Sequence, residues 1–303
     1  MNEKIKAAVI GYGNVGRMAV EALQSAIDME LLGVVQQPYC SADSARILAA
    51  MDIKMVQSLD QLSGVQVALL CIPTRAVPSM TREILSLGIN SIDCYDIHGQ
   101  LADLRLELDE IAVANHSVAV ISAGWDPGTD SMLRCMYEFM VPQGLTYTNF
   151  GPGMSMGHTA AVRALDGVED ALSMTIPLGT GIHRRIVYVQ LQSGANLTEV
   201  KKAIKTDPYF IKDETHVIPV ADVKQLIDMG HGVDMVRKGV SGSTHNQILR
   251  FSMQVNNPAL TAQVMVAAAR ASIKQKPGAY TLIEIPIIDF MYGQRDDITR
   301  KLL

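Results

Sequence analysis

The chain begins its first predicted strand with Ile5-Lys6-Ala7-Ala8-Val9-Ile10 and continues directly into Gly11-Tyr12-Gly13-Asn14-Val15-Gly16. An apolar run followed by the spacing G-x-G-x-x-G, with a helical pattern immediately after it, is typical of a dinucleotide-binding turn. Gly11 permits the tight turn, Gly13 lets phosphates approach the backbone, and Gly16 allows the helix to pack against the strand. Since a helix N-terminus presents N–H groups to an anion, the stretch predicts a nucleotide site.

Short runs rich in valine and isoleucine alternate with helical patterns through the first 125 residues. This alternation predicts right-handed crossovers and an α/β fold with a Rossmann-type doubly wound parallel sheet. Ligands of such sheets bind beyond the carboxyl ends of the strands. The predicted strands are Ile5–Ile10, Leu31–Gln36, Val65–Cys71, Ser91–Tyr95 and Ser117–Ser122.

The pattern changes after Met140, where predicted strands no longer alternate strictly with helices. Many of the later strands alternate polar with apolar residues, which predicts an antiparallel sheet with one exposed face. One helix, Thr159–Leu165, is expected among them, and a final strand, Tyr280–Ile287, should return to the first domain. We therefore predict a dinucleotide-binding domain, residues 1–125 and 258–303, and a second α+β domain, residues 126–257.

Composition argues against several classes of protein. The 303 residues carry a net charge of -5 without a basic block, so neither nucleic acid nor a membrane surface is an expected partner. No apolar stretch approaches the roughly 20 residues that span a bilayer, and we expect no signal peptide. The cysteines Cys40, Cys71, Cys94 and Cys135 form no C-x-x-C pair, so we expect free thiols in a cytoplasmic protein and no metal site.

The end of the second strand leaves the choice of dinucleotide open. An acid about 20 residues after the glycines is usual for NAD, whereas an arginine nearby accommodates the 2′-phosphate of NADP. Here the strand ends in Gln36-Gln37, and glutamine can hydrogen-bond either group. Arg75 could supply a charge to the adenosine end or be a solvated loop residue. The residues expected at the cofactor are Gly11, Tyr12, Gly13, Asn14, Val15, Gly16, Gln36, Gln37, Cys71, Pro73, Thr74 and Arg75.

Two acidic residues follow strands at the predicted ligand edge. Asp96 could bind an ammonium group there, or it could cap the helix that begins near Gly99. Asp126 stands beside Trp125, the only tryptophan of the chain, in the turn after the next strand. The indole could form a rigid wall beside a nicotinamide or pack at a domain junction. Asp126 before Pro127 is also a candidate helix N-cap.

A second glycine-rich loop runs from Phe150 to Thr159 and leads into a helix. Its closely spaced glycines predict close approach of the backbone to a ligand. His158 stands just ahead of the predicted helix, where a neutral imidazole could accept a proton or simply cap or pack.

Two arginines begin a later strand, at Arg184 and Arg185. Because strand side chains alternate, one should point inward, where a guanidinium can bind a carboxylate through two hydrogen bonds. His231 and Asn257 lie next to glycine and proline, and their spacing alone predicts only turn residues.

These residues carry a resemblance to the meso-diaminopimelate dehydrogenase family over nearly the whole chain. The matching motifs are Gly11-Tyr12-Gly13-Asn14-Val15-Gly16, Gly124-Trp125-Asp126-Pro127-Gly128, Met154–Thr159 and Asn257-Pro258. That family reversibly deaminates the D-centre of meso-2,6-diaminopimelate with NADP, in the pathway to lysine and peptidoglycan. The resemblance implies L-2-amino-6-oxopimelate and ammonia as products. It also implies a homodimer, in which the second domain serves substrate binding and dimerisation.

The resemblance further implies roles for single residues. Asp96 and Asp126 would hold the ammonium group of the D-centre. The residues implied beside the nicotinamide and the D-carboxylate are Trp125, Met156 and Gly157. The residues implied at the distal L-centre are Thr175, Arg185, His231 and Asn257, with Phe150 in the wall between the two centres. His158 resembles a residue considered for proton transfer.

Gln36 and Gln37 stand where the family usually has basic residues, so NADP is expected with NAD as an alternative. Two other functions remain open at this point. A related two-domain oxidoreductase could act on a sugar or another amino acid, although the Lys-Pro pair common in such sugar enzymes is absent near the fourth and fifth strands. A regulator that senses nicotinamide would need a DNA-binding or partner-binding module, and the sequence has no basic helix pair.

Overall fold

The computed structural model describes residues 3–36, 42–226 and 230–303 of the chain. It divides into two compact units, Met1–Leu133 with Pro258–Leu303 and Arg134–Asn257. The sequence predicts a boundary at residue 125, whereas the first unit continues into the helix that starts at Thr129. Gln37 and Cys40, which belong to the cofactor and thiol predictions, lie outside the described residues.

Strands and helices are numbered here in chain order. The strands are β1 Ile5–Ile10, β2 Met29–Val35, β3 Met55–Val56, β4 Val67–Leu70, β5 Asn90–Asp93, β6 Val118–Val120, β7 Gln143–Phe150, β8 Gly153–Met154, β9 Val168–Gly179, β10 Ile182–Leu191, β11 Glu214–Pro219, β12 Gly230–Ser241, β13 Thr244–Asn256 and β14 Gly278–Tyr280. The helices are α1 Asn14–Ser25, α2 Ala42–Ala50, α3 Val77–Ser86, α4 Leu101–Ala114, α5 Thr129–Met140, α6 Met156–Arg163, α7 Leu197–Thr206, α8 Asn257–Ser272 and α9 Arg295–Leu302. Within the described ranges, no helix combines the length and the apolar character needed to cross a bilayer.

The first unit confirms the predicted doubly wound α/β fold. Among the residues described, its sheet has seven strands in the order β14-β6-β5-β4-β1-β2-β3, and each neighbouring pair is parallel. Val9 packs towards α1 and α8, whereas Ile10 packs towards α3 and α4. Burial on both faces explains why the strands read as unbroken apolar runs. The carboxyl ends of β1, β4, β5 and β6 therefore lie side by side at one edge of the sheet.

The predicted final strand, Tyr280–Ile287, is wrong beyond its first residue. β14 ends at Tyr280, and Thr281 caps a short 3-10 helix, Leu282–Glu284. The Thr281 N–H and hydroxyl both donate to Oε2 of Glu284, at 2.7 and 2.9 Å. This capping box stabilises a turn at Thr281, so the chain does not continue in the extended conformation that the apolar residues favour.

The second unit confirms the predicted α+β class and contains two sheets in its described part. One is antiparallel, in the order β13-β12-β7, and the other has the order β11-β10-β9-β8. In the second sheet β9 and β10 form an antiparallel pair that places Arg185 opposite Thr175.

Helix α7, which the sequence pattern does not predict, reverses the expected direction of strand β11. Its buried residues Val200 and Ile204 pack with Val187 of β10 and Val217 of β11. The chain leaves β10, crosses through α7 and returns in the same direction, so β10 and β11 are parallel rather than antiparallel. This crossover brings the segment just before β11 next to Arg185.

Candidate active site

The glycine turn between β1 and α1 is built for close backbone approach. A Cβ atom at Gly11 would lie 2.5 Å from the Cys71 carbonyl oxygen, and one at Gly16 would lie 2.1 Å from the Gly11 carbonyl oxygen. A Cβ atom at Gly13 would meet nothing within 4 Å. Gly13 is also the N-cap of α1 and offers no side chain, and the first turn of α1 has no acid. The turn therefore fits a pyrophosphate, which the first N–H groups of α1 would hold.

Gln36 joins the end of β2 to this turn. Its side-chain Oε1 accepts the N–H of Tyr12 at 2.7 Å. The Arg17 guanidinium lies 5.6 Å from the centre of the Tyr12 ring. Arg75 is exposed in the 3-10 turn that follows β4. A neutral side chain thus occupies the position at which an acid would select NAD.

Asp96 lies at the sheet edge as predicted, beyond the end of β5. One of its carboxylate oxygens accepts a hydrogen bond from the hydroxyl of Thr74, at 2.7 Å. The N-cap residues of the next 3-10 turn and of α4 are Ile97 and Gln100, so the capping alternative for Asp96 is wrong. The Thr74 hydroxyl instead orients the carboxylate at the carboxyl edge of the sheet.

Trp125 and Asp126 lie in a tight turn between β6 and α5. The carbonyl oxygen of Trp125 accepts the N–H of Asp130 at 3.0 Å, which binds the turn to the start of α5. A Cβ atom at Gly128 would lie only 1.9 Å from the Gly124 carbonyl oxygen. The indole is buried and Asp126 is half-buried. Since α5 begins at Thr129, the hypothesis that Asp126 caps this helix is wrong.

In the second unit, Arg185 forms the centre of a polar cluster. Its Nε donates to Oδ2 of Asp213 at 2.6 Å, and its Nη1 donates to the hydroxyl of the buried Thr175. Nη2 makes no hydrogen bond to any residue in the described ranges. The side chain of Arg185 is 13% exposed, whereas that of Arg184 is 39% exposed and pairs with Glu214. The arginine that points inward is therefore Arg185.

Uncharged imidazoles surround this guanidinium. Burial, reinforced by the charge of Arg185, lowers the pKa of His231 to about 4. Burial and the same charge also lower the pKa of His183, whose Nε2 accepts the N–H of Phe150 at 2.7 Å. Nδ1 of His231 lies against the main chain of Gly232, 2.8 Å from its nitrogen and 3.1 Å from its carbonyl oxygen. Arg185, with neutral imidazoles that each keep one N–H, forms a set that suits a carboxylate.

His158 is held at both ring nitrogens. Nδ1 accepts from the Ser155 hydroxyl at 2.8 Å, and Nε2 donates to the Tyr209 carbonyl oxygen at 2.9 Å. Burial and the charge of Arg185 lower its pKa to about 3. It lies in the first turn of α6 rather than ahead of the helix, where it anchors the segment with Met156 and Gly157. Its role in proton transfer stays a prediction, and this geometry favours a structural role.

In the second glycine-rich loop, Gly151 and Gly153 pack closely against the main chain of the protein itself. A Cβ atom at Gly151 would lie 2.3 Å from the Thr175 carbonyl oxygen, and one at Gly153 would lie 2.3 Å from that of Gly230. The loop is therefore packed between β9 and the start of β12, beside His231. Asn257 is buried at the first position of α8.

Sequence reasoning missed several partners of these residues. Asp213 precedes β11, and only the parallel pairing of β10 with β11 brings it to Arg185. His183 and Tyr209 contact their partners across 33 and 51 residues of chain. No local pattern marks such contacts, because the partners are far apart in the sequence. Asp213 and Tyr209 follow α7, so their contacts also depend on the crossover through this helix.

The lowered pKa of His158 makes the stability of the protein depend on pH. Between its ordinary value of 6.5 and its folded value of about 3, the unfolded chain binds a proton that the folded chain does not. The free energy of unfolding therefore falls as the pH drops through this range, by about 1.4 kcal/mol per pH unit for one group. We expect His158→Asn to reduce that slope, as measured by urea unfolding at several pH values. Above pH ~7 the difference between the two proteins should be constant, and equal slopes at acidic pH would contradict the prediction.

Comparisons with known proteins place this geometry in a family. Residues 124–184 match a family model described as the diaminopimelic acid dehydrogenase C-terminal domain. The meso-diaminopimelate D-dehydrogenase of Bacteroides fragilis is 55% identical over 295 residues, which cover 97% of this chain and 98% of that protein. The structure of C. glutamicum DAP dehydrogenase in complex with DAP matches with a TM-score of 0.86 and 25% identity, covering 99% of both chains.

An engineered D-amino acid dehydrogenase bound to NADP+ matches with a TM-score of 0.85 and 25% identity, over 99% of this chain and all of that one. The resemblance in the motifs thus extends to the whole sequence and to the whole fold. The chain belongs to the meso-diaminopimelate D-dehydrogenase family.

Proposed function

We propose that this chain catalyses the reversible, NADP-dependent oxidative deamination of the D-centre of meso-2,6-diaminopimelate, giving L-2-amino-6-oxopimelate and ammonia. The observation that carries the proposal is the Arg185 cluster, in which Thr175 and Asp213 hold a largely buried guanidinium near uncharged imidazoles. A substrate with a carboxylate and an amine at each end needs a cationic site for a carboxylate far from the reacting carbon. Membership of the family supports this assignment.

At the D-centre, the proposal assigns the ammonium group to Asp96 and Asp126. These acids follow the adjacent strands β5 and β6, and the hydroxyl of Thr74 orients Asp96. Trp125 would restrict the pose of the substrate, with Met156 and the N–H of Gly157 near the D-carboxylate. When bound, NADP would supply the hydride acceptor for the D-carbon. The proposal assigns the proton exchanges that accompany replacement of the amine by water to the side chains of Asp96 and Asp126.

At the L-centre, the proposal assigns the carboxylate to Arg185 and Thr175. Nη2 of Arg185 makes no hydrogen bond within the described part of the chain, and Asp213 fixes the plane of the guanidinium. His231, a neutral imidazole that keeps one N–H, would add a donor, and Asn257 would bind the amine. Phe150 would form the wall between the two centres. Binding both ends selects which stereocentre is presented for oxidation.

The proposal includes a homodimer that works in the cytoplasm. Support comes from the family resemblance, in which homodimers are typical. The thiols of Cys71 and Cys94 also suit a reducing compartment, since both are free and burial raises their pKa values.

The proposed reaction is tested by incubating the purified protein with NADP and meso-diaminopimelate and following the absorbance of reduced nicotinamide. Formation of reduced nicotinamide together with ammonia is the expected result. The absence of a signal with both NADP and NAD, from neutral to alkaline pH, would overturn the proposal.

The proposed contact between Arg185 and the L-carboxylate gives a specific prediction for Arg185→Ala. The KM for meso-diaminopimelate should rise about 100-fold, since a buried charge-assisted contact to a carboxylate is worth about 3 kcal/mol. The Kd of NADP should stay within about threefold of the wild-type value. Arg184→Ala is the matched control, because the neighbouring side chain is exposed and pairs with Glu214. Equal KM values for the two variants would show that Arg185 does not bind the substrate.

Gln36 should control the choice between NADP and NAD. Gln36→Glu keeps an acceptor for the Tyr12 N–H but puts a negative charge where the 2′-phosphate of NADP would bind. We expect kcat/KM for NADP to fall at least tenfold, and that for NAD to change less than about threefold. The matched control is Gln66→Glu, whose side chain accepts the Lys6 N–H at the opposite end of the sheet. An unchanged NADP to NAD ratio in the Gln36 variant would exclude this residue from the selection.

A further inference from the structure

A fully buried carboxylate lies next to the proposed site but has no role in the assignments above. Asp93 is the last residue of β5, and its Oδ1 accepts the N–H groups of Tyr95 and Ser122, both at 3.0 Å. Its Oδ2 is buried and has no hydrogen-bond partner among the residues that the structure describes. Burial raises the pKa of Asp93 to about 6. A buried acid with one unsatisfied oxygen is costly, so its position calls for a compensating role.

The Asp93 side chain joins the ends of two neighbouring strands. Ser122, just after β6, has a φ of 55°, a left-handed conformation that costs a residue with a side chain about 1 kcal/mol. Its N–H is bound by Asp93, and its hydroxyl donates to the Tyr95 carbonyl oxygen at 2.7 Å. The Ala123 N–H donates to the main-chain oxygen of Asp93 at 2.6 Å. Side-chain and main-chain bonds together clamp residues 93–95 to residues 122–123.

The residues assigned to the D-centre begin directly after this clamp. Asp96 follows Tyr95, and Trp125-Asp126 follow Ala123 by two and three positions. A shift of one strand end against the other would change the separation of the two acids. A misplacement of about 1 Å at a reacting centre can cost about 100-fold in rate.

We propose that Asp93 is a positioning residue for the deamination, which sets the loop of Asp96 against the loop of Trp125-Asp126. This inference rests on the proposed function. Because the clamp uses Oδ1 as an acceptor, a carboxamide oxygen can replace it, whereas alanine cannot.

The test compares Asp93→Ala and Asp93→Asn in the spectrophotometric assay with NADP and meso-diaminopimelate. Asp93→Ala should lower kcat by about 10- to 100-fold and leave the Kd of NADP within about threefold. Asp93→Asn should recover most of that loss, because it retains the acceptor.

The matched control is Asn90→Ala, at the opposite end of the same two strands. Oδ1 of Asn90 accepts the Val118 N–H at 2.8 Å, so the variant breaks a side-chain link between β5 and β6 far from the proposed site. We expect Asn90→Ala to lower stability as Asp93→Ala does, but to leave kcat within about twofold.

A kcat loss in Asp93→Ala no larger than that in Asn90→Ala would overturn the proposal. If Asp93→Ala does not fold, Ser122→Ala takes its place, because it removes the bond to Tyr95 and leaves Asp93 intact. We then expect kcat to fall about three- to tenfold, and an unchanged kcat would overturn the proposal. An inactive wild-type protein would instead refute the proposed function, so the two failures are distinguishable.

Discussion

The close approach of backbone to backbone in the glycine turn is the constraint on which the first unit depends. α1 can follow β1 immediately only because neither Gly11 nor Gly16 carries a Cβ atom, which would meet carbonyl oxygens at 2.5 and 2.1 Å. That tight packing directs the N-terminus of α1 at the carboxyl edge of the sheet. The same edge carries the ends of β4, β5 and β6, so Thr74, Asp96 and Trp125-Asp126 lie on the side where α1 begins.

The two units place charge in different ways. In the first unit, acids at strand ends are oriented by short polar contacts, such as the Thr74 hydroxyl on Asp96. In the second unit, a cation is held inside the protein, and Asp213 offsets part of the cost of burying it. The surrounding imidazoles stay neutral because burial and the guanidinium both oppose their protonation. Each arrangement suits a group of opposite charge, and the proposed substrate carries both kinds.

The sequence was a good guide wherever structure depends on local signals. The glycine turn, the alternation of strands and helices and the inward direction of one of the two arginines, Arg184 or Arg185, all follow from spacing along the chain. One failure was local, since the capping box of Thr281 and Glu284 ends the predicted last strand. The other failures arose where long-range packing decided the outcome. α7 turned an expected antiparallel pair into a parallel one, and Asp213 reaches Arg185 only through that change. The buried clamp of Asp93 likewise joins residues 29 positions apart, with no periodic pattern to reveal it.

The crossover through α7 also has a consequence for how the protein can vary in evolution. Thr175 and Arg185 face each other on β9 and β10, the two inner strands of their sheet, with β8 and β11 on either side. The register of this pair is fixed by its own ladder of hydrogen bonds and by the core beneath it. Insertions or deletions in the chain beyond β11 can therefore accumulate without moving the guanidinium relative to its threonine, whereas the segment just before β11 must keep Asp213 in place.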